Sequence, residues 1–319
     1  MIRKTGFWLA LPLACGMVIT LTAKAADEAV DPHQGEYVGK FDLGDGIEQG
    51  FAFQVIALGE GRYRGVAYFG GLPGDGWDGF TKLEAEGEAK DGELTLEAAE
   101  GAAQIDKDGN VVLTSADGAE LGRLKKTERK SPTLGAEPPE GAVVLFDGSN
   151  ADAWEGGKMT DDGLLKPGTV TNQKFNNFTL HLEFRTPFMP SARGQARGNS
   201  GVYLQDRYEL QILDSFALEG LDNECGGFYS IKAPSLNMCL PPMSWQTYDI
   251  DYTAPEYNGD ERVTGPKITV RHNGVVIHEE LELEKGTPGR LDEGPGPGGI
   301  YVQDHGNPVL FRNIWLVEN

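Results

Sequence analysis

The sequence predicts an all-β protein in which a two-sheet antiparallel sandwich of jelly-roll type follows a smaller β unit. Three observations lead to this prediction. The 319 residues include 44 glycines and 18 prolines, which indicates many turns. Apolar and polar residues alternate with a period of two in many short segments, as in strands with one buried face. After the N-terminus no segment shows a convincing helical period, so the strands have to pack on one another.

The N-terminal 25 residues have the pattern of an export signal. Arg3 and Lys4 precede an apolar run, and a small-x-small sequence from Ala23 to Ala25 marks the cleavage site. We therefore expect an exported protein, periplasmic or extracellular, after signal-peptide cleavage near Ala25. A buried helix fits the flanking residues less well. A lipoprotein anchored through Cys15 also fits less well, because the apolar run continues past this cysteine.

The net charge restricts the expected partners. The chain carries a net charge of −21, and removal of residues 1–25 would change this to −24, because that segment has three basic residues and no acidic one. A negative field repels nucleic acid and anionic lipid. No segment after residue 25 is apolar enough to span a bilayer. A small neutral carbohydrate and a divalent cation both remain compatible with this charge.

Two cysteines, Cys225 and Cys239, remain after cleavage. In an oxidising compartment we expect them to form a disulfide, whose short loop would contribute about 3 kcal/mol in the chain-entropy model. A metal-binding pair is the alternative. It fits less well because no Cys-x-x-Cys motif or nearby His completes a site.

The first β unit is expected over residues 35–128, and its role does not follow from the sequence. Its strand-like segments are separated by turns rich in Gly and Asp, and they read FAFQVIAL, RYRGVAYFG, GELTLEA and NVVLTS. Residues 129–142 interleave prolines and glycines with polar residues and are predicted to be a linker.

Residues 143–319 are predicted to form the sandwich, with eight or more strands. The segment 178–185 alternates cleanly between apolar and polar residues. Asp206–Arg207 is expected to form a tight hairpin turn, and Asn273–Gly274 is a strong hairpin signal. A last hairpin is expected across His305–Gly306.

The segment RYELQILDS places polar residues on one face of a predicted strand. Glu209 and Gln211 share that face, with Cα atoms roughly 6.5–7 Å apart. Asp214 has the opposite parity and joins them only through a β-bulge. The face is either a solvated outer surface or the floor of a cleft in which carboxylates act. The second interpretation adds polar residues from other strands and the closing hairpin, namely His181, Glu183, Gln303 and His305.

The segment 185–201 is a long basic loop in an acidic protein, and it contains Arg193, Arg197 and Asn199. It is either a mobile loop or an arm over the groove that donates hydrogen bonds to sugar hydroxyls or to a developing oxyanion. Aromatic rings that could stack on a sugar are Trp77, Trp154, Trp245, Tyr203, Tyr229 and Tyr301, although most such residues lie in cores.

Six motifs, in order between about Gly141 and Glu318, resemble the 3-keto-disaccharide hydrolase domain family. They read VVLFDGSNADAW, RGNSGVYLQDRYELQILDS, ECGGFYSI, WQTYDIDYTAP, HNGVVIH and YVQDHGNPVLFRNIW. The resemblance implies a concanavalin A-like lectin/glucanase jelly roll that cleaves glycosides. In this fold Glu209-x-Gln211-x-x-Asp214 is similar to the Glu-x-Asp-x-x-Glu strand of laminarinase-type glycosidases. Gln at the middle position and Asp at the last depart from that retaining pattern.

The implied substrate suggests a different reaction. A ketone at C3 of a sugar acidifies the C2 proton, so a base can promote loss of the C1 leaving group, after which water adds. The proposed roles are base for Glu209 or His305, acid for Asp214 or Glu183, oxyanion donor for Arg197, and orientation of hydroxyls for Gln211 and Asn199. His181, Gln303 and Tyr301 are further candidate substrate-binding residues.

No cofactor is certain from the sequence, and no metal site is assigned. Some members of the broad group that the resemblance suggests act with a divalent cation. Such an ion would replace Arg197 at the oxyanion, and its candidate ligands are His181, Glu209 and His305. The alternative function is a non-catalytic carbohydrate-binding, lectin-like module, since jelly rolls support both activities.

Overall fold

The computed structural model describes residues 30–42, 44 and 46–319. The predicted export signal lies outside the described residues. Within them the chain forms twenty β-strands and one short 3-10 turn, which confirms the all-β prediction. Eight strands close a barrel, ten form two further sheets, and two form a small ribbon. In this described part of the chain, no helix has the length and hydropathy of a membrane span.

The barrel is an up-and-down antiparallel structure. Each strand pairs with the next along the chain, and the last pairs with the first. Its apolar side chains point inward from alternate positions, as with Phe53, Val55 and Ala57. The strands are β1 (Gly35–Asp42), β2 (Glu48–Gly59), β3 (Arg62–Phe69), β4 (Lys82–Lys90), β5 (Glu93–Ala98), β6 (Gly101–Ile105), β7 (Asn110–Ser115) and β8 (Glu120–Thr127).

Strand β2 is buried on both faces from Phe51 to Ala57. One face belongs to the barrel interior. On the other face, Ala52 and Ile56 pack in one cluster with Phe216. The near-continuous apolar run FAFQVIA therefore packs in two hydrophobic cores. Through the second core it joins the barrel to the rest of the protein.

The remaining strands form a sandwich of two antiparallel sheets and the separate ribbon β15–β16. The order is β18-β17-β14-β11-β20-β9 in the six-stranded sheet and β10-β19-β12-β13 in the four-stranded sheet. The bounds are β9 (Val143–Phe146), β10 (Thr169–Val170), β11 (Phe178–Arg185), β12 (Ser200–Leu204), β13 (Tyr208–Ile212), β14 (Gln246–Thr253), β15 (Tyr257–Asn258), β16 (Glu261–Arg262), β17 (Lys267–His272), β18 (Val275–Glu282), β19 (Tyr301–Val302) and β20 (Leu310–Glu318).

The inner faces of the two sheets share one core. Leu180 of the six-stranded sheet and Leu210 of the four-stranded sheet are both fully buried in it. The strands β12 and β13 are joined by a tight turn in which Gln205 and Asp206 have φ of 51° and 59°. The turn therefore begins one residue earlier than predicted. The predicted Asn273 turn is confirmed, with φ of 51° between β17 and β18.

The segment 129–142 contains no strand and runs over the outer face of the six-stranded sheet. The Ser131 hydroxyl is 2.6 Å from the hydroxyl of Thr247. The Ala136 carbonyl accepts a hydrogen bond from the Trp315 indole at 3.1 Å. This segment, predicted as a linker, therefore covers part of a sheet instead of crossing solvent.

The predicted disulfide is absent, because Cys225 and Cys239 are both free thiols in the core. The two thiols interact with each other, and each sulfur has a further hydrogen-bonding partner. Cys225 Sγ lies 3.2 Å from the hydroxyl of Tyr248, and the Cys239 thiol donates to the carbonyl of Leu213 at 3.5 Å. The expectation of a disulfide is thus wrong for this structure.

Candidate active site

A polar pocket of about 210 Å³ opens on the outer face of the four-stranded sheet. Side chains alternate along a strand, so Val202 and Leu210 enter the core while Tyr203 and Glu209 face outward. The RYELQILDS face is therefore the floor of a cleft. The residues that line this pocket are Gln195, Asn199, Tyr203, Glu209, Gln211, Tyr229, Pro288, Gly289, Gln303 and His305.

Glu209 is the buried carboxyl at the floor of the pocket, with only 3% of its surface exposed. Its Oε2 accepts a hydrogen bond from the Tyr203 hydroxyl at 2.7 Å. Burial raises the pKa of Glu209 to about 7, although hydrogen bonds from Tyr203 and Gln303 act in the opposite direction. A carboxyl with this pKa is well suited to accept and return a proton near neutral pH.

Amide side chains continue this network. With its amide nitrogen turned toward the floor, Gln211 donates to Glu209 Oε1 at 3.1 Å and to the Ser200 carbonyl at 3.0 Å. Gln303 Nε2 donates to the Tyr203 hydroxyl at 3.2 Å. The carboxyl of Glu209 therefore has hydrogen-bond partners on both of its oxygens.

Two glycines make room for these groups. A Cβ atom at Gly201, which pairs with Gln211 across the strands, would lie 2.5 Å from Glu209 Oε1. A Cβ atom at Gly289 would lie 2.9 Å from the hydroxyl of Tyr203, and the φ of this glycine is 108°. Both contacts are shorter than side chains tolerate. Glycine at these positions therefore allows Glu209 and Tyr203 to occupy the floor.

One wall comes from the loop before β12, which contains the 3-10 turn Gly194–Ala196. Gln195 Nε2 donates to the Asn223 carbonyl at 2.7 Å. Asn199 Nδ2 donates to Gln195 Oε1 at 3.0 Å. This loop, interpreted from the sequence either as a mobile loop or as an arm over the groove, contributes amides to the pocket, whereas Arg193 and Arg197 point elsewhere.

His305 lies at the mouth of the pocket and is exposed, in the connection between β19 and β20. Tyr229 also lines the pocket and is half-buried. Glu209 and His305 therefore line the same pocket, as the interpretation of the Glu209 face as the floor of a cleft required. The structure also adds Gln195, Pro288 and Gly289, which the sequence analysis did not identify. Only the position of Gln195 in the basic loop could have suggested it.

Asp214 and Arg197 are not in the pocket. Both are buried, and Arg197 Nε donates to Asp214 Oδ2 at 2.7 Å. Arg197 also donates at 3.3 Å to the carbonyl of Ala57 in the barrel. The expectations of an acid at Asp214 and an oxyanion donor at Arg197 are therefore wrong, because the two side chains neutralise each other where barrel and sandwich meet.

His181 and Glu183 lie on β11 of the other sheet, below the segment 129–142. His181 Nδ1 is 2.6 Å from Asp249 Oδ1, and Arg312 Nε donates to Glu183 Oε2 at 2.6 Å. Burial raises the pKa of Glu183, but hydrogen bonds, with that from His181 the largest, outweigh it and hold this pKa at about 2. The expectation that these residues share a groove with Glu209 is wrong, because the segment 129–142 seals them in.

Tyr301 lies beside the pocket without lining it. Its ring is 5.6 Å from the Tyr203 ring, and the Arg290 guanidinium lies over it at 3.9 Å. Among the described residues, no group of three His, Cys, Asp or Glu side chains is arranged to hold a metal ion. The candidate ligand set of His181, Glu209 and His305 is not brought together, since His181 is on the other sheet.

A β-sandwich with a polar pocket built from amides, tyrosines and one buried carboxyl fits a carbohydrate-active, glycoside hydrolase-like protein, and the family match and a similar solved structure support this class. The sequence model of the 3-keto-alpha-glucoside-1,2-lyase-like domain matches residues 141–317. The chain belongs to this family. The match covers both sheets of the sandwich and the whole pocket.

Solved structures of two candidate glycosyl hydrolases from Parabacteroides distasonis ATCC 8503 are similar to this chain. The first is 34% identical with a TM-score of 0.52, over 57% of this chain and 85% of that chain. The second is 20% identical with a TM-score of 0.43, over 56% of this chain and 94% of that chain. No curated protein matches the sequence.

Proposed function

We propose that this protein cleaves the glycosidic bond of 3-keto-glycosides, including 3-keto-disaccharides, by acid/base elimination followed by hydration. The observation that carries the proposal is Glu209, a buried carboxyl of raised pKa at the floor of a sugar-sized pocket. The 3-keto-alpha-glucoside-1,2-lyase-like family to which the chain belongs supports this substrate class, and the similar candidate glycosyl hydrolase supports action on a glycoside. We further propose that the protein acts outside the cytoplasm, after removal of its N-terminal signal.

Glu209 is the base in the first step. It takes the proton from C2, which the neighbouring C3 ketone has made acidic, and the electron pair forms an enolate. The enolate then expels the oxygen at C1 and leaves a C1=C2 double bond conjugated with the ketone. A carboxyl with a pKa of about 7 is roughly half ionised at pH 7, so a large share of the protein holds the base form.

The enolate oxygen needs hydrogen-bond donors. Gln211 and Asn199 line the pocket, but both N–H groups of each amide are already engaged, with Glu209 and Ser200 in one case and with Gln195 in the other. We assign the enolate oxygen to the Tyr229 hydroxyl and to Gln303, which gives one N–H to Tyr203 and has a second. Tyr229 and Gln303 take the role that the sequence interpretation gave to Arg197.

His305 is the acid for the departing oxygen, because it is the imidazole of the lining and lies at the mouth, whereas the Tyr203 hydroxyl donates to Glu209. It protonates the leaving group at the mouth of the pocket. In the second step it accepts a proton from the water that adds to C1, and Glu209 returns its proton to C2. Atoms and charge then balance as a net hydrolysis, and if water did not add, the product would be the unsaturated sugar.

The test is turnover of a 3-keto-glycoside by the mature protein and by Glu209→Gln and His305→Ala. We expect losses of 10²- to 10⁴-fold for each, the usual contribution of acid–base groups. Glu279→Gln, an exposed carboxyl outside the pocket, is the matched control and should keep full activity. If the Glu209 carboxyl exchanges its proton with solvent between the two steps, the sugar released in D₂O carries deuterium at C2.

Full turnover by both pocket variants would overturn the assignment. If the wild-type protein bound the sugars without converting any 3-keto or ordinary disaccharide, the lectin-like alternative would replace the proposal.

A further inference from the structure

The barrel has an apolar cavity of its own, separate from the candidate active site. Its volume is about 260 Å³. It lies at the barrel end where the connections β1–β2, β3–β4, β5–β6 and β7–β8 meet, because its lining includes the residues next to these connections. The side chains that line it are chiefly apolar and include Phe41, Phe51, Phe53, Phe69, Leu83 and Leu121.

The cavity is open to solvent at the barrel end formed by these four connections and closed toward the middle of the barrel. Its floor is Phe53, whose ring lies so close over Gly65 that a Cβ atom there would be 2.2 Å from Cζ. The wall is a cluster of three rings, in which Phe51 is 5.2 Å from Phe41 and 5.0 Å from Phe69 between centroids. At the mouth, Phe41, Phe69 and Leu83 are only half-buried. The barrel therefore exposes apolar surface to water at one end.

A cavity of this kind suits an apolar group. Apolar cavities of about 150 Å³ exclude water and admit benzene, and this one is larger. Eight-stranded barrels have an interior that is either filled by side chains or holds one small ligand. The one side-chain hydroxyl in the lining, that of Thr114, is directed at the carbonyl of Ala102 at 3.5 Å. The part of a ligand inside must therefore be apolar.

The charge around the mouth is mainly negative. The described residues of the four connections at this end, 44, 46–47, 70–81, 99–100 and 116–119, contain four acidic residues and no Lys or Arg. Lys82 at the start of β4 is paired with Glu219. We propose that the barrel binds the apolar part of one small amphiphile whose polar end is positively charged. The cationic end would remain at the acidic mouth, and the alkyl or aryl part would fill the cavity.

The test measures binding of alkyltrimethylammonium ions of increasing length to the full mature protein, by calorimetry below micelle-forming concentrations. Each added methylene should tighten binding about fourfold, the equivalent of ~0.8 kcal/mol per buried CH₂. The gain should stop once the cavity is full. Octyl sulfate should bind at least tenfold more weakly than octyltrimethylammonium. Equal affinity for the two would overturn the proposed cationic end.

A pair of variants locates the site. Ala85→Leu narrows the cavity, whereas Ala89→Leu makes the same change on the same strand outside the lining. We expect at least tenfold weaker binding for the first and unchanged binding for the second, with both shown to be folded by thermal unfolding. Absence of binding by the wild-type protein would overturn the proposal, and so would equal effects of the two variants.

Discussion

Replacing Tyr203 by Phe tests whether Glu209 is the base, because the Tyr203 hydroxyl stabilises the ionised form of this carboxyl. The hydroxyl donates to Glu209 Oε2 at 2.7 Å. This hydrogen bond opposes the burial that raises the pKa of Glu209 to about 7. A hydrogen bond to a charged group contributes about 1.5–3 kcal/mol, and about 1.4 kcal/mol changes a pKa by one. The pKa of Glu209 should therefore rise by about 1 to 2 in Tyr203→Phe.

The consequence is a displaced pH profile. At pH 7 the ionised fraction of Glu209 falls from about one half to about 1–10%, so kcat/KM should fall by about 5- to 50-fold, and the acid limb of the profile should move to higher pH by about 1 to 2. The assay is the pH dependence of kcat/KM for cleavage of a 3-keto-glycoside. Tyr301→Phe is the control, because this ring touches Tyr203 from outside the pocket. An unchanged acid limb, or the same displacement in both variants, would refute the reasoning.

Three further predictions concern single side chains. In Gly201→Ala the new Cβ would lie 2.5 Å from Glu209 Oε1, so the carboxyl has to move. We expect kcat/KM to fall by about 100-fold or more, measured by steady-state kinetics on a variant shown to be folded. The pKa of Glu209 is 4.5 in the unfolded chain and about 7 in the folded protein. The folded protein therefore loses stability as the pH rises from 4.5 through 7, because ionisation of Glu209 is less favourable there. The free energy of unfolding, measured with denaturant, should therefore be about 3 kcal/mol higher for Glu209→Gln than for the wild type at pH 8. At pH 4 we expect no such difference. The pKa of Glu183 is depressed to about 2. The ionised carboxylate therefore adds to the free energy of unfolding above pH 4.5, and this stabilisation is lost as the pH falls through 2. Glu183→Gln should cost about 3 kcal/mol at pH 7 and much less at pH 2 by the same measurement.

Local patterns predicted the floor of the pocket correctly. Side-chain direction alternates along a strand, so the sequence alone placed Glu209 and Gln211 on one face. It also gave Asp214 the opposite parity, and in the structure Asp214 is indeed turned away, toward Arg197. The sequence interpretation went wrong where it joined Asp214 to that face through a bulge.

Features that depend on distant parts of the chain were not predictable in this way. His181 and Glu183 alternate like pocket residues, but the path of the segment 129–142 decides that their face is covered. Closure of the barrel depends on the pairing of β1 with β8, for example of Glu36 with Thr127. A period of two describes each strand and does not state which strand lies beside it.

The contacts between barrel and sandwich bear on the pocket, because they fall on the loop that forms one of its walls. Arg193 donates to the Leu58 carbonyl of the barrel at 2.7 Å, and Arg197 donates to that of Ala57. Gln195 lies between these two arginines in the chain and lines the pocket. The barrel therefore fixes the backbone on both sides of a pocket residue. The geometry therefore gives the barrel a structural role in the shape of the pocket.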